Sequence, residues 1–149
     1  MSITALRFQG QGHSFEIGAS IEEEISRQVL GDVSAYVYVS VSSNGFIGHN
    51  DLWLAHEEIA QFARQLGELN QSLKGEAKLS SISPNELELV VRAVSSRGNV
   101  AVTGNTGYWV KSENAMFWHS VSFGFEFEPG QLSEALQGSW LRQYVSNPD

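Results

Sequence analysis

Apolar and polar residues alternate along residues 33–41, where valine and alanine occupy every second position and serine or tyrosine the positions between. A period of two places the β-branched residues on one face of an extended strand. Asn44-Gly45 follows, and this pair favours the positive φ angles of a type I′ turn. Residues 46–54 are therefore predicted to return antiparallel.

The clearest helical pattern covers residues 56–74. Glu57 and Glu58 lie in its first turn, where carboxylates complement the helix dipole, and Lys74-Gly75 is typical of a helix end. The apolar positions recur at spacings of three and four, which forms one stripe along a helix: Ile59, Phe62, Ala63, Leu66, Leu69 and Leu73.

Other segments also alternate with a period of two. Residues 3–17 predict a hairpin around a glycine-rich turn. After the helix, strands are predicted at 77–81, 87–93, 100–102, 108–110 and 117–127.

The connections between these strands are less regular. Gly104 and Gly107 are interpreted as turn residues, and residues 18–31 fit a helix and a strand equally well. Leu132 and Leu136 predict a short C-terminal helix, with Trp140 packing back on the core.

Strands, one helix, more strands and a terminal helix follow in an order typical of α+β proteins. We therefore predict a single α+β domain over residues 1–149, a length that suits one core. Its mostly antiparallel, curved sheet is packed by one long amphipathic helix, at about 56–74, and by the short C-terminal helix.

The composition narrows the function. The net charge of −8 argues against a nucleic-acid surface, which needs clustered Lys and Arg. The absence of cysteine excludes disulfides, thiolate chemistry and cysteine-ligated metals. No apolar run approaches the roughly 20 residues that span a bilayer, and Met1–Phe8 lacks a signal-peptide pattern. We expect a cytoplasmic protein with no membrane partner.

His49, Asp51 and His56 form the only cluster that suggests catalysis. His49 and Asp51 are two apart on a predicted strand and so point to the same side. Imidazole and carboxylate together bind metals or perform acid–base chemistry, but the spacing matches neither a zinc-protease helix nor an EF-hand. A polar strand end is the simpler interpretation, and we expect no metal and no cofactor.

Four large aromatic residues lie outside the valine and leucine stripes: Trp53, Tyr108, Trp109 and Trp118. Packing is the simpler interpretation, but exposed tryptophan and tyrosine would serve as protein-binding anchors. His119 shares one face of the last predicted strand with several phenylalanines. It is interpreted as a hydrogen-bonded core or half-core histidine.

Several motifs over residues 33–128 occur in a characteristic order. Asn44-Gly45-Phe46 follows the valine-rich strand, Asp51-Leu52-Trp53-Leu54 precedes the helix, and Pro84-Asn85-Glu86-Leu87 follows it. This order resembles that of the WapI-type bacterial immunity proteins and related bacterial families. The resemblance implies neutralisation of a cognate toxin by direct binding, and it supplies no catalytic residues.

Two hypotheses follow. The first is a non-catalytic protein-binding module, a monomer or small homo-oligomer, that binds a toxin domain through carboxylates and aromatic anchors. The second is a small enzyme or ligand-binding domain that uses His49, Asp51 and His56. Exposed tryptophans and the absence of a pocket would favour the first hypothesis, and a concave site enclosing the two histidines with a bound ion would favour the second.

Overall fold

The alternating segments form eight strands in the structure, a computed structural model that describes residues 5–20 and 34–145. Strands hold 53% of these residues and helices 24%, so the predicted α+β class is confirmed. The strands are divided between two antiparallel four-stranded sheets, each of which follows the order of the chain.

The first sheet precedes the long helix. Asn44 (φ 52°) and Gly45 (φ 91°) form the tight turn that the sequence predicted, with Ser43 opposite Phe46. Residues 18–20 of the ambiguous segment are described, and 18 and 19 end a strand; residues 21–31 lie outside the described residues. The strands are β1 (Leu6–Gly10), β2 (His13–Ala19), β3 (Ser34–Ser43) and β4 (Phe46–Ala55).

The second sheet follows helix α1 (His56–Ser72). Asn85, at a φ of 67°, lies in the turn between its first two strands. The strands are β5 (Glu76–Ser80), β6 (Leu87–Ala93), β7 (Val100–Lys111) and β8 (Met116–Phe127). Helix α2 (Gly130–Gly138) and a 3-10 helix (Trp140–Tyr144) complete the described chain.

The predicted turn at Gly104 and Gly107 is wrong, because both residues lie inside the continuous strand β7. A Cβ atom at Gly104 would lie 2.5 Å from the carbonyl oxygen of Glu88, and one at Gly107 would lie 2.5 Å from Cζ2 of Trp118. The glycines therefore make room for neighbouring strands and side chains instead of reversing the chain.

The two sheets pack through their apolar faces. Phe8 of β1 stacks on Phe127 of β8 with 4.4 Å between ring centroids, and Phe15 of β2 stacks on Phe123 at 5.4 Å. The predicted apolar face of β3 is buried from Ala35 onward. Each sheet covers the apolar face of the other, which is how antiparallel sheets commonly form a core.

Helix α1 packs mainly against β5 and also contacts β4. Five of its predicted stripe residues are buried, while Leu73 is partly buried just beyond its end. Leu73 has a φ of 55° and donates its N–H to the carbonyl oxygen of Leu69. This left-handed cap ends the helix at Ser72, two residues before the predicted end at position 74. In the described part of the chain, no helix is long and apolar enough to cross a membrane.

Leu66 tests the contribution of this stripe because its side chain is fully buried. We expect Leu66→Ala to lower the free energy of unfolding by about 2–5 kcal/mol, through lost burial and the cavity that remains. Denaturant unfolding measures the change. The exposed helix residue Gln61 provides the control, since Gln61→Ala should change stability by less than about 0.5 kcal/mol. Equal losses in both variants would contradict the assignment.

Candidate binding surface and cleft

The hairpin formed by β7 and β8 extends beyond the core. Each strand has 12 residues, but β6 pairs with β7 only as far as Thr106. On β8, Phe123 is buried and Val121 half-buried, while the residues nearer the turn are exposed except for the half-buried Trp118. We call residues 107–111 and 116–120, with their connecting turn 112–115, the distal ribbon.

The distal ribbon carries large side chains on both faces. Cross-strand partners share a face, so Tyr108, Val110, Phe117 and His119 lie on one side. Trp109, Lys111, Met116 and Trp118 lie on the other. Exposure reaches 43% for Tyr108, 59% for Trp109 and 55% for Phe117. The rings of Trp109 and Trp118 meet edge to face, with centroids 5.3 Å apart.

The turn between β3 and β4 adds two more exposed apolar residues, Phe46 (67%) and Ile47 (78%). Gly48 follows them, and a Cβ atom there would collide with Val121 of β8, so the two sheets approach closely at this point. We call the distal ribbon together with Phe46 and Ile47 the apolar surface. Large contiguous apolar patches are uncommon on soluble proteins and often mark interaction sites.

A cleft of about 260 Å³ lies between β4 and the base of the distal ribbon. Asn50, in its lining, is buried and donates from Nδ2 to the carbonyl oxygen of Gly107 (2.8 Å) and to Oγ1 of Thr106 (3.2 Å). Thr106 in turn donates to the carbonyl oxygen of Glu86 at 2.5 Å. These hydrogen bonds join the two sheets where the core ends. The rest of the lining includes Ile47, His49, Tyr108 and His119.

The three residues of the alternative catalytic hypothesis do not form one site. His49 and Asp51 point to the same side of β4 as expected, with Nε2 and Oδ2 3.7 Å apart. His56 begins α1 at the other end of the strand. It follows His49 by seven residues, a separation of about 23 Å for an extended chain that rises about 3.3 Å per residue. Its Nε2 is buried, and its ring meets that of Tyr144 edge-on at 5.6 Å. Within residues 5–20 and 34–145, no three histidine or carboxylate side chains come together as metal ligands.

The expectation that His119 is a core or half-core histidine is wrong. His119 lies on the predicted face of β8, but beyond the point where the first sheet covers that face, and it is exposed. Its ring is nearly parallel to that of Tyr108, at 6.3 Å between centroids. His119 instead joins His49 in lining the cleft.

The four candidate aromatic anchors occupy two regions. Tyr108, Trp109 and Trp118 belong to the distal ribbon, where Trp118 is half-buried. Trp53 lies on the outer face of the first sheet and is half-buried against Tyr36, with ring centroids 4.9 Å apart. The structure therefore groups three of the four candidates.

Sequence reasoning missed several residues of the apolar surface: Phe46, Ile47, Val110, Met116 and Phe117. A signal was present in Tyr108-Trp109-Val110 and Met116-Phe117-Trp118. In these runs apolar side chains occupy consecutive positions, so both faces of each strand are apolar. A strand with one face in the core and the other in water alternates instead.

Polar side chains form a cluster on the outer face of the first sheet. Arg7 pairs with Glu16, and the Tyr38 hydroxyl donates to the other carboxylate oxygen of Glu16 at 2.5 Å. The hydrogen bond from Tyr38, followed by the contact with Arg7, lowers the pKa of Glu16 despite its partial burial. Burial, followed by the bond to Glu16, raises the pKa of Tyr38 to about 12.

The described residues form an α+β fold with a projecting apolar ribbon. The chain belongs to the Immunity protein WapI-like family, whose family model matches residues 5–141. This membership confirms the resemblance found in the sequence and supports an immunity role. No curated protein and no solved structure matches the chain.

Asn50 should contribute strongly to stability because its hydrogen bonds are buried. We expect Asn50→Ala to lower the free energy of unfolding by about 1–3 kcal/mol, since it leaves buried acceptors without their donor. Asn114, exposed in the turn of the distal ribbon, is the control, and Asn114→Ala should change stability by less than about 0.5 kcal/mol. A loss in Asn50→Ala no larger than in the control would show that the bridge contributes little.

Tyr38 should be a late-titrating tyrosine. Its pKa in the folded state, about 12, exceeds the ordinary value of 10.0, so its stabilising contribution is complete below pH 10.0 and is lost as the pH rises through about 12. Absorbance of tyrosinate against pH measures this titration, and Tyr38→Phe should remove the late phase. Glu16→Gln should move the late phase to lower pH, because it removes the carboxylate acceptor. An unchanged late phase in Tyr38→Phe would assign it to another tyrosine.

Proposed function

We propose that this protein neutralises a toxin by binding it directly, and that the apolar surface forms the centre of the contact. The observation that carries the proposal is the exposure of aromatic side chains on the distal ribbon, where the core no longer covers them. Tryptophan and tyrosine are the residues that most often dominate the energy of protein interfaces. Membership in the WapI-like family supports the immunity role itself.

The apolar surface is large enough for such a contact. An aromatic side chain buries about 150–250 Å² when it is fully covered, so one that is half exposed offers about 100 Å². Seven apolar residues of this surface are exposed. The four aromatic ones alone offer about 400 Å², half of the roughly 800 Å² that one partner contributes to a stable interface of standard size, and the three aliphatic ones add to it. The seven residues are Phe46, Ile47, Tyr108, Trp109, Val110, Met116 and Phe117.

Charge and apolar contact have different roles in the proposed complex. The net charge of −8 attracts a basic partner and speeds encounter, over a range of about 8 Å at physiological ionic strength. The distal ribbon itself carries few charges, with Lys111 and Glu113 at its tip. The apolar contact therefore determines how slowly the complex dissociates.

The function is tested with the products of the genes that flank this chain's gene. One of these products should contain a toxin domain that arrests the growth of a host lacking the chain, co-expression should restore growth, and the two purified proteins should form a complex. Toxicity that persists in the presence of the folded chain, with no complex, would refute the proposal.

The contact surface is tested by substitutions at the two most exposed aromatic residues of the distal ribbon. Trp109→Ala and Phe117→Ala should each weaken binding of the same toxin domain by about 30-fold or more, the range of interface hot spots. Calorimetric titration gives the dissociation constant. Ile82 is the matched control, because it is 54% exposed in the turn between β5 and β6, and Ile82→Ala should bind as the wild type does. Wild-type affinity in both aromatic variants would place the contact elsewhere.

A further inference from the structure

The distal ribbon is apolar on both faces. Tyr108, Val110 and Phe117 are exposed on one face, and Trp109 and Met116 on the other. A surface that docks flat against a partner needs apolar residues on one face alone, and the opposite face would then remain polar, as in a half-solvated antiparallel sheet.

Beyond Gly107, both edges of the distal ribbon are also unpaired. On the β7 side, the paired residues of β6 and β7 end at Thr106, followed by one bond from the N–H of Gly107 to the carbonyl oxygen of Glu86. On the other side, β8 is the last strand of its sheet. In the described residues, no third strand pairs with this part of the hairpin. Two-stranded ribbons are marginally stable in water, so such a segment gains much from a partner that covers it.

Contacts within the distal ribbon explain why some of its apolar residues are present. The Trp118 ring lies over Gly107, where an added Cβ atom would be 2.8 Å from Cε2 of Trp118. An aromatic ring that covers a glycine of the neighbouring strand in this way stabilises a hairpin. Trp109 packs on Trp118 but remains 59% exposed. On the opposite face the rings of Tyr108 and His119 lie nearly parallel, but Phe117 is still 55% exposed. Self-stabilisation therefore leaves large apolar areas on both faces uncovered.

We propose that the distal ribbon inserts into a groove of the toxin, which covers both of its faces at once. This inference rests on the proposed function and adds the mode of binding and the shape of the partner. Layers of sheet structure pack about 10 Å apart, so the two walls of the groove would lie about 20 Å from each other, with the ribbon between them. Gly107 is held at the base of the ribbon, so the four residues of each strand beyond it and Ser120 reach about 13 Å into the groove.

The chemistry of the groove follows from the ribbon. Aromatic and aliphatic side chains on both faces require apolar walls. The connecting turn is polar, with Ser112, Glu113 and Asn114 all exposed, so the floor of the groove is polar or open to solvent. A second copy of this chain does not fit this description, because a twofold contact joins the same patch of each protomer and leaves the opposite face of each ribbon uncovered.

Single cysteines on the two faces test the insertion, since the chain has no cysteine of its own. Val110→Cys and Met116→Cys place one thiol on each face at positions that are 37% and 55% exposed. Arg92→Cys, on an exposed position of β6, is the matched control. The rate of thiol labelling is measured for each variant alone and when saturated with the neighbouring-gene toxin domain, whose own thiols are blocked beforehand.

We expect labelling at both ribbon positions to slow by about tenfold or more in the complex, because the centre of an interface excludes solvent. The control should label at its free rate. A bound complex in which either ribbon thiol keeps its free rate would overturn insertion and indicate flat docking. Protection that appears without toxin and grows with the concentration of the chain would identify a second copy as the occupant, and would also overturn the inference.

Two further variants check that the labelling result does not come from a cysteine substitution that itself disturbs the ribbon. Tyr108→Cys and Lys111→Cys occupy the same two faces and should give the same protection. The failure of the wild-type chain to bind the toxin domain would refute the proposed function. Insertion is refuted separately, by binding that leaves one face of the ribbon accessible.

Discussion

Ring contacts of β1 and β2 with β8 hold the two sheets together. How far these contacts extend along β8 determines which residues of the second sheet are buried. Each four-stranded sheet has one apolar face that must be covered, and here each sheet covers the other. Phe8 and Phe15 meet Phe127 and Phe123, so the buried part of β8 is its second half. The first half continues past the cover, where Met116, Phe117 and Trp118 are apolar at consecutive positions and none of them is fully buried.

Close contacts at the end of the core fix the position of the distal ribbon. Asn50 joins β4 to β7 through buried hydrogen bonds, and Gly48 lets β4 approach Val121. Buried polar groups that are fully hydrogen-bonded favour one arrangement over alternatives of similar packing. The exposed ribbon therefore projects from a rigid base, which reduces the entropy lost when a partner binds it.

The extent of the core also explains why His49 and His56 lie apart, and why Trp53 lies apart from the aromatic residues of the distal ribbon. His49 lies on the exposed side of the β4 end that borders the cleft, whereas His56 lies at the far end of the same strand, where α1 begins. Tyr108 and Trp109 lie beyond the cover of the first sheet, while Trp53 packs on a neighbouring tyrosine of its own sheet. Position along a strand, relative to the core, decides which of these residues a partner can reach.

The sequence by itself determined the elements whose signals are local. Alternation defined β3, Asn44-Gly45 defined its turn, and the stripe around Leu66 defined α1, because side-chain periodicity follows directly from backbone geometry. Tertiary structure decided the rest. Alternation is the same whether a face is covered or bare, so it could not show that His119 is exposed. A glycine such as Gly107 suits a turn and a close approach equally well, and the neighbouring strand that distinguishes them is distant in sequence.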